Sequence, residues 1–191
     1  MIEQRTPEWF AQRAAVSITG SMVGAVLGVS PFASRDDALR TKIREKAGAE
    51  SEFKGNIATE YGTRNESIAI KDYEHQTGQI VFEAEFVKHP EYDWQGASPD
   101  GLIGRSGLIE VKCPFSKKIK PLAESPHYYA QIQMQLHCTS REWCDYVIWT
   151  PDRLSVERIP RDPEWMEKNV AVLFAFHEEV LAIMNDKDLL A

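Results

Sequence analysis

The alternation of apolar and polar positions divides the chain into six helical stretches and four strand-like ones. Thr6-Pro7-Glu8 is a helix start, with a capping hydroxyl, proline at the first helical position and an acid in the first turn. It predicts a short helix through Arg13. A second helix is expected from Thr19 to Gly28, and a third from Ser34-Arg35-Asp36-Asp37 to about Gly48. Asn56 to Thr77, closed by Gly78, is the longest helical pattern. The character then changes. Ile80 to Val87, Gly107 to Cys113, Trp143 to Thr150 and Leu154 to Ile159 are rich in β-branched and aromatic residues and read as strands. A helix from Ser125 to Cys138 separates the second strand from the third, and a last helix from Pro163 to Asn185 carries Val170, Leu173, Phe174, Val180, Leu181 and Met184. This order predicts an α/β fold, a central mixed β-sheet flanked by helices.

Composition narrows the class. The 191 residues are 43% hydrophobic and 10% aromatic, enough to bury a core, and no repeat or low-complexity linker interrupts them, so one domain over 1–191 is expected. A net charge of −7, from 22 Lys+Arg against 29 Asp+Glu, argues against coating nucleic acid or membrane by bulk positive charge. A local basic groove stays compatible with it. From Arg161 onward, Asp162, Glu164, Glu167, Glu178, Glu179, Asp186 and Asp188 outweigh Arg161, Lys168 and Lys187, so acidity is concentrated in the terminal segment. Cys113, Cys138 and Cys144 form no CxxC pair, which supports neither a disulfide framework nor a zinc ribbon. The first residues, MIEQRTPEWFAQR, hold no apolar targeting run, and no stretch approaches the roughly 20 apolar residues of a membrane span. A soluble, cytoplasmic, reducing-compartment protein is expected.

The chemistry concentrates between Ala97 and Phe115. Asp100 precedes a glycine at a predicted bend, and Glu110 and Lys112 lie two apart in a strand, so the period of two sends both to one face and Val111 to the other. Antiparallel pairing across Arg105-Ser106-Gly107 would bring Asp100 close to Glu110. Two convergent carboxylates beside an ammonium suit a hard divalent cation such as magnesium, which takes oxygen ligands and keeps waters that serve as nucleophile. The lysine can orient that water and stabilise charge growing on a phosphoryl group.

Ser98-Pro99-Asp100-Gly101 followed by Glu110-Val111-Lys112-Cys113-Pro114 resembles the PD-(D/E)XK nucleases and, within them, the phage lambda exonuclease and YqaJ-type viral recombinase family. Trp9 to Arg13, Ile18 to Ser21, Tyr61 to Glu66 and Tyr129-Ala130-Gln131-Ile132-Gln133 resemble further elements of that family, in the same order. The resemblance implies a restriction-endonuclease-like core. It implies Asp100, Glu110 and the Val111 carbonyl as metal ligands, Lys112 as the catalytic lysine, and Glu66 completing the site from the long helix, with Glu60 the competing acid. It implies Mg2+, with Mn2+ as a substitute, at two ions per site. Arg13, Ser21, Ser98 and Gln131 match positions that hold the 5′-phosphate of a DNA end, with Thr19 or Ser17 as alternatives to Ser21. Gln133 is the adjacent alternative to Gln131 and could contact the lysine instead.

The activity so implied is a magnesium-dependent 5′→3′ exonuclease. It would degrade one strand of linear duplex DNA to 5′-mononucleotides and leave a 3′ overhang for recombination. The implied partners are duplex ends, two further copies in a homotrimeric ring, and a single-strand annealing protein, in a bacterial or phage-infected cell. Arg35, Arg40, Lys42 and Arg44, and Lys117, Lys118 and Lys120, are candidate duplex contacts. The competing readings are a structure-specific or restriction-like endonuclease and a non-catalytic DNA-end binding module.

Overall fold

The computed structural model describes residues 4–49 and 55–186; Lys187 and Asp188 of the acidic terminal segment lie outside them. Helix α1 (Pro7–Ala15) starts as its sequence predicts, with the Thr6 hydroxyl accepting from the Trp9 amide and proline at the first helical turn. Reciprocal capping boxes start α3 (Arg35–Lys46) at Ser34 and Asp37, and α4 (Ile57–Thr77) at Asn56 and Thr59. Gly78 ends α4 at a positive φ of 69°, the conformation that favours glycine.

The mixed α/β expectation holds, with the strands divided between two sheets. In the larger, the order is β2 (Val81–Phe82), β5 (Gly101–Ile103), β6 (Gly107–Lys112), β7 (Trp143–Thr150) and β8 (Arg153–Pro160). Only the β6–β7 pair is parallel, joined by the crossover helix α5 (Pro126–Thr139). The smaller sheet sets β4 (Gln95–Ala97) between β1 (Ile18–Thr19) and β3 (Val87–Lys88). The expected strand over Ile80–Val87 is therefore corrected. Its two ends pair in different sheets, and exposed Glu83 and Glu85 mark the stretch where the chain crosses from one to the other. The expected helix after Thr19 contracts to one turn, α2 (Val23–Val26), because Ile18 and Thr19 pair with Gln95 and Gly96 instead.

Strand β6 is buried on both faces, and its period of two sorts the core. Ile109 and Val111 pack with Ala69 and Tyr73 of α4, and Leu108 packs with Ile132 and Leu136 of α5. The buried Tyr73 hydroxyl donates to Asp145 Oδ2 at 2.6 Å, and Arg158 grips the same carboxylate through two nitrogens at 2.8 and 2.9 Å. That knot anchors α4 on β7. The opposite face of α5, with Ala130 and Met134, closes a second core with Val23, Val26, Ala97 and residues of α6 (Trp165–Asn185). At Gly24 a Cβ would stand 2.9 Å from the His127 Cβ, so glycine is what lets α2 lie against the start of α5. Those two contacts set Ser21 and Gln131 across one cleft.

Candidate active site

The turn between β5 and β6 does what the spacing predicts. Gly101 pairs with Ile109, which leaves Asp100 at the strand's entry beside Val111. Asp100 Oδ2 accepts the Val111 amide at 2.7 Å. The Glu110 side chain is buried at 2% exposure and that of Lys112 is at 23%, both on the α5 face. The Lys112 ammonium donates to Glu110 Oε1 and lies 4.5 Å from the centre of the Tyr128 ring.

Glu110 has two further donors, and both come from α5. Gln131 Nε2 donates to Oε1 at 2.7 Å and Gln135 Nε2 donates to Oε2 at 2.6 Å. Gln131 and Gln135 are four apart, hence on one helical face. Gln133 lies on the other: its amide donates to the Pro160 carbonyl at 3.0 Å and its oxygen accepts the Asp162 amide at 2.9 Å. The expected contact between Gln133 and the lysine is corrected, since a step of two on a helix points it away from β6. Gln135 is the residue that the sequence reading missed. Its signal was available, because any helix presenting Gln131 to the strand must present 135 with it.

The two glutamines make contrasting predictions. Gln135→Leu strips a buried carboxylate of a donor and should lower nuclease turnover by roughly tenfold or more. Gln133→Leu leaves the Asp162 amide unpaired. It should cost about 1–3 kcal/mol of stability with turnover of the folded protein unchanged. Nucleotide release and thermal melts of both variants check this, and equal losses of turnover would contradict it.

Charge at the centre is unbalanced toward negative. Enclosure by the protein raises the Asp100 carboxyl well above the ordinary range, and the Glu110 and Glu66 charges push it further. Burial works against the Lys112 ammonium, but Glu110 and Asp100 outweigh it and raise its pKa above that of an ordinary lysine, so it stays charged. One ammonium between two carboxylates leaves room for added positive charge. The donors there are carboxylate oxygens and backbone carbonyls, which suit a hard cation. Among the described residues no three His, Cys, Asp or Glu side chains gather closely enough to hold a metal ion on their own. Two carboxylates supplemented by a carbonyl and waters fit magnesium or manganese better than a full protein cage would. Glu66 stands at the margin, 26% exposed, with its Oε2 accepting from Arg5 at 2.8 Å. The long helix does bring it within electrostatic reach of Asp100. Glu60 is exposed, a turn and a half earlier on α4.

Arg13 emerges from the last turns of α1. Its Nη2 donates to Ser21 Oγ at 2.7 Å and to Thr19 Oγ1 at 3.4 Å, and its guanidinium lies 4.5 Å from the centre of the Trp9 ring. The Trp9 indole in turn donates to Ser98 Oγ at 2.9 Å. Ser17 is turned away and bonded to His177 at 2.7 Å, so Ser21 and Thr19 are the hydroxyls at this arginine. Arg13, Ser21 and Gln131 line one cleft of about 290 Å³. Because Gln131 also bonds Glu110, the cleft and the carboxylate pair share a wall.

The helix α3 bases divide differently from the sequence expectation. Lys42 is fully buried, donating to the Arg13 carbonyl at 3.1 Å and to Glu45 at 2.5 Å, so it is no duplex contact. Arg35 pairs with Glu179 and Arg40 with Asp37. Lys117, Lys118 and Lys120 are exposed beyond the end of β6.

The sequence matches the YqaJ-like viral recombinase domain over residues 8–142. Among solved structures, the alkaline exonuclease LHK-Exo from Laribacter hongkongensis superposes with a TM-score of 0.80 at 36% identity over 94% of each chain. LHK-Exo in complex with dAMP gives 0.82 at 35% identity, again over 94% of both chains. A phage-related exonuclease from Haemophilus somnus 129PT shares the fold, with a TM-score of 0.68 at 18% identity over 85% of this chain and 92% of that one. The uncharacterized protein R354 of Acanthamoeba polyphaga mimivirus is 29% identical over 164 residues and aligns with 76% of this chain; the chain spans 29% of that relative's length.

Proposed function

The chain belongs to the YqaJ-like viral recombinase family, with nucleases of the alkaline exonuclease kind as its structural relatives, and we propose that it degrades one strand of linear double-stranded DNA from the 5′ end. The products would be 5′-mononucleotides and a 3′ single-stranded overhang for annealing-type recombination. The observation that carries this reading is the shared wall: Gln131 touches Glu110 and lines the cleft of Arg13 and Ser21. A terminal phosphate in that cleft sets the next phosphodiester toward Asp100, Glu110 and Lys112.

Asp100, Glu110 and the Val111 carbonyl would hold magnesium, or manganese in its place, at two ions per site, with Glu66 of α4, paired with Arg5, adding its charge through water. Bound there, such cations activate water as a nucleophile and neutralise charge on the phosphate. The chain's own residues do the rest. Lys112, kept charged by Glu110, presents its remaining N–H donors to a phosphate oxygen. Arg13 uses its Nη2 on Ser21 and Thr19 and keeps donors for two phosphate oxygens in the fork geometry that a guanidinium offers. As the water oxygen bonds to phosphorus, the bond to the O3′ of the first nucleotide breaks, and one proton of the water ends on that departing oxygen. The shortened strand then begins with a 5′-phosphate, the group that the Arg13 cleft binds, so each cycle prepares the next.

A homotrimeric ring around the duplex and a single-strand annealing protein that takes the overhang complete the proposal. Ile80 and Phe82, 65% and 57% exposed at the sheet edge formed by β2, support a surface covered in an assembly. No helix among the described residues is long and apolar enough to cross a membrane.

The test is linear duplex DNA labelled separately at each 5′ and 3′ end, with and without a 5′-phosphate, in magnesium and in EDTA. Early release of 5′-labelled mononucleotide, faster with the phosphate and stopped by EDTA, is the expected result. Nicking of closed circles would replace the proposal with an endonuclease. Binding without cleavage in either divalent ion would leave an end-binding module.

A further inference from the structure

The cleft is more than a phosphate pocket. Beyond Arg13, Ser21 and Gln131 its walls carry the aromatic rings of Phe32, His127 and Tyr128, with the carboxylates of Asp37 and Glu45 among its polar lining. Phe32, on the loop between α2 and α3, is 76% exposed, the most exposed large apolar side chain among the described residues. Its ring stands edge-on to His127, with centroids 5.3 Å apart at 84°. The His127 ring lies 4.0 Å from that of Tyr128, and Tyr128 carries the Lys112 ammonium over its face. His127 Nε2 is enclosed yet has no hydrogen-bond partner among the described residues. An enclosed imidazole nitrogen without a partner is unusual, and the residue that carries it lines the same cleft as Arg13.

An exposed aromatic side chain and a cationic phosphate grip in one cleft match the base and the phosphate of a nucleotide. Resting on the exonuclease reading above, we infer that Phe32, braced edge-on by His127, is a stacking shelf for the 5′-terminal nucleobase of the strand being digested. The phosphate of that nucleotide would sit at Arg13 and its 3′ side would lead past Tyr128 to Lys112. Every base has a π-face, so such a shelf holds the terminal nucleotide whatever its identity, as a nuclease that digests through any sequence requires. It also holds that base out of its duplex partner while the next bond is cut.

The experiment measures binding of the full chain, in EDTA, to duplex ends carrying either thymidine or an abasic tetrahydrofuran residue at the 5′ terminus. Each end is made with a 5′-phosphate and with a 5′-hydroxyl. The wild type should bind the thymidine end about tenfold more tightly than the abasic end. Phe32→Ala should bring the two within about twofold, and Phe32→Trp should restore the difference. At 76% exposure the side chain supports little of the fold, and a thermal melt verifies that. Equal binding of both ends by the wild type, or an equal loss on both with Phe32→Ala, would overturn the shelf. Absence of a phosphate preference with the base preference intact would sink the Arg13 pocket and leave the shelf. Failure to bind any end would remove both.

Discussion

Asp100→Asn should abolish nucleotide release while making the cation-free protein more stable. The asparagine oxygen can still accept the Val111 amide that Asp100 holds at 2.7 Å, so the strand entry keeps its geometry. What disappears is an enclosed charge beside Glu110. The folded protein raises the Asp100 pKa above its unfolded value, so the native state binds its proton more tightly than the unfolded chain does. Cation-free stability therefore falls as pH climbs through and above the unfolded value, toward the raised one, and the neutral amide removes that loss. Thermal melts in EDTA across pH should show the variant rising above the wild type toward neutrality. Lys112→Met complements it. That variant keeps an unbranched apolar stem and loses the donor over Tyr128, and turnover should drop by roughly 10²–10³-fold. Lys112→Arg should recover little, because the wider planar fork does not reproduce the compact ammonium that donates to buried Glu110. Wild-type turnover in either Asp100→Asn or Lys112→Met would end the catalytic assignment. Unchanged EDTA melts would end the electrostatic account of Asp100 alone.

The parts of this architecture that were legible in sequence are those with local physical causes. Thr6-Pro7, Ser34 with Asp37, and Asn56 with Gly78 each carry a cap chemistry that acts within one turn, and each marks a helix end in the structure. The long, largely buried β6 and β7 announced themselves by β-branched density. Strands β1, β3 and β4 did not, because two or three residues hold no period, and Gln95 in β4 is polar yet fully buried. Nothing local to Glu66 on α4 points to its partner. Arg5 is 61 positions away and reaches it only through the tertiary fold. Lys42 reads in sequence, with Arg35, Arg40 and Arg44, as a candidate duplex contact. Its buried position follows from Ala38, one turn earlier on the same face and also buried.

Arg13 should decide whether the protein recognises a phosphorylated end. Arg13→Met should reduce the preference for 5′-phosphate over 5′-hydroxyl ends by roughly 10–100-fold, chiefly through the apparent affinity. Turnover at saturating DNA should change less, because the carboxylates and Lys112 are untouched. Arg13→Lys should restore only part of the preference, since one ammonium cannot reproduce a fork held by Ser21 and laid on Trp9. The setting of the residue makes the expectation firm. Arg13 lies near the C-terminal end of α1, where the helix dipole is negative and would repel an anion. Two lysines of α3 answer this, Lys42 donating to the Arg13 carbonyl at 3.1 Å and Lys46 to the Ala15 carbonyl at 2.9 Å. They cap the carbonyls that the helix leaves unpaired and add positive charge behind the guanidinium. Burial lowers the Lys42 pKa, and the nearby Glu45 opposes that shift. A cationic group so carefully offset at the wrong end of a helix has an anion as its natural ligand. A KM for phosphorylated ends that Arg13→Met leaves unchanged would show that the anion is not the terminal phosphate.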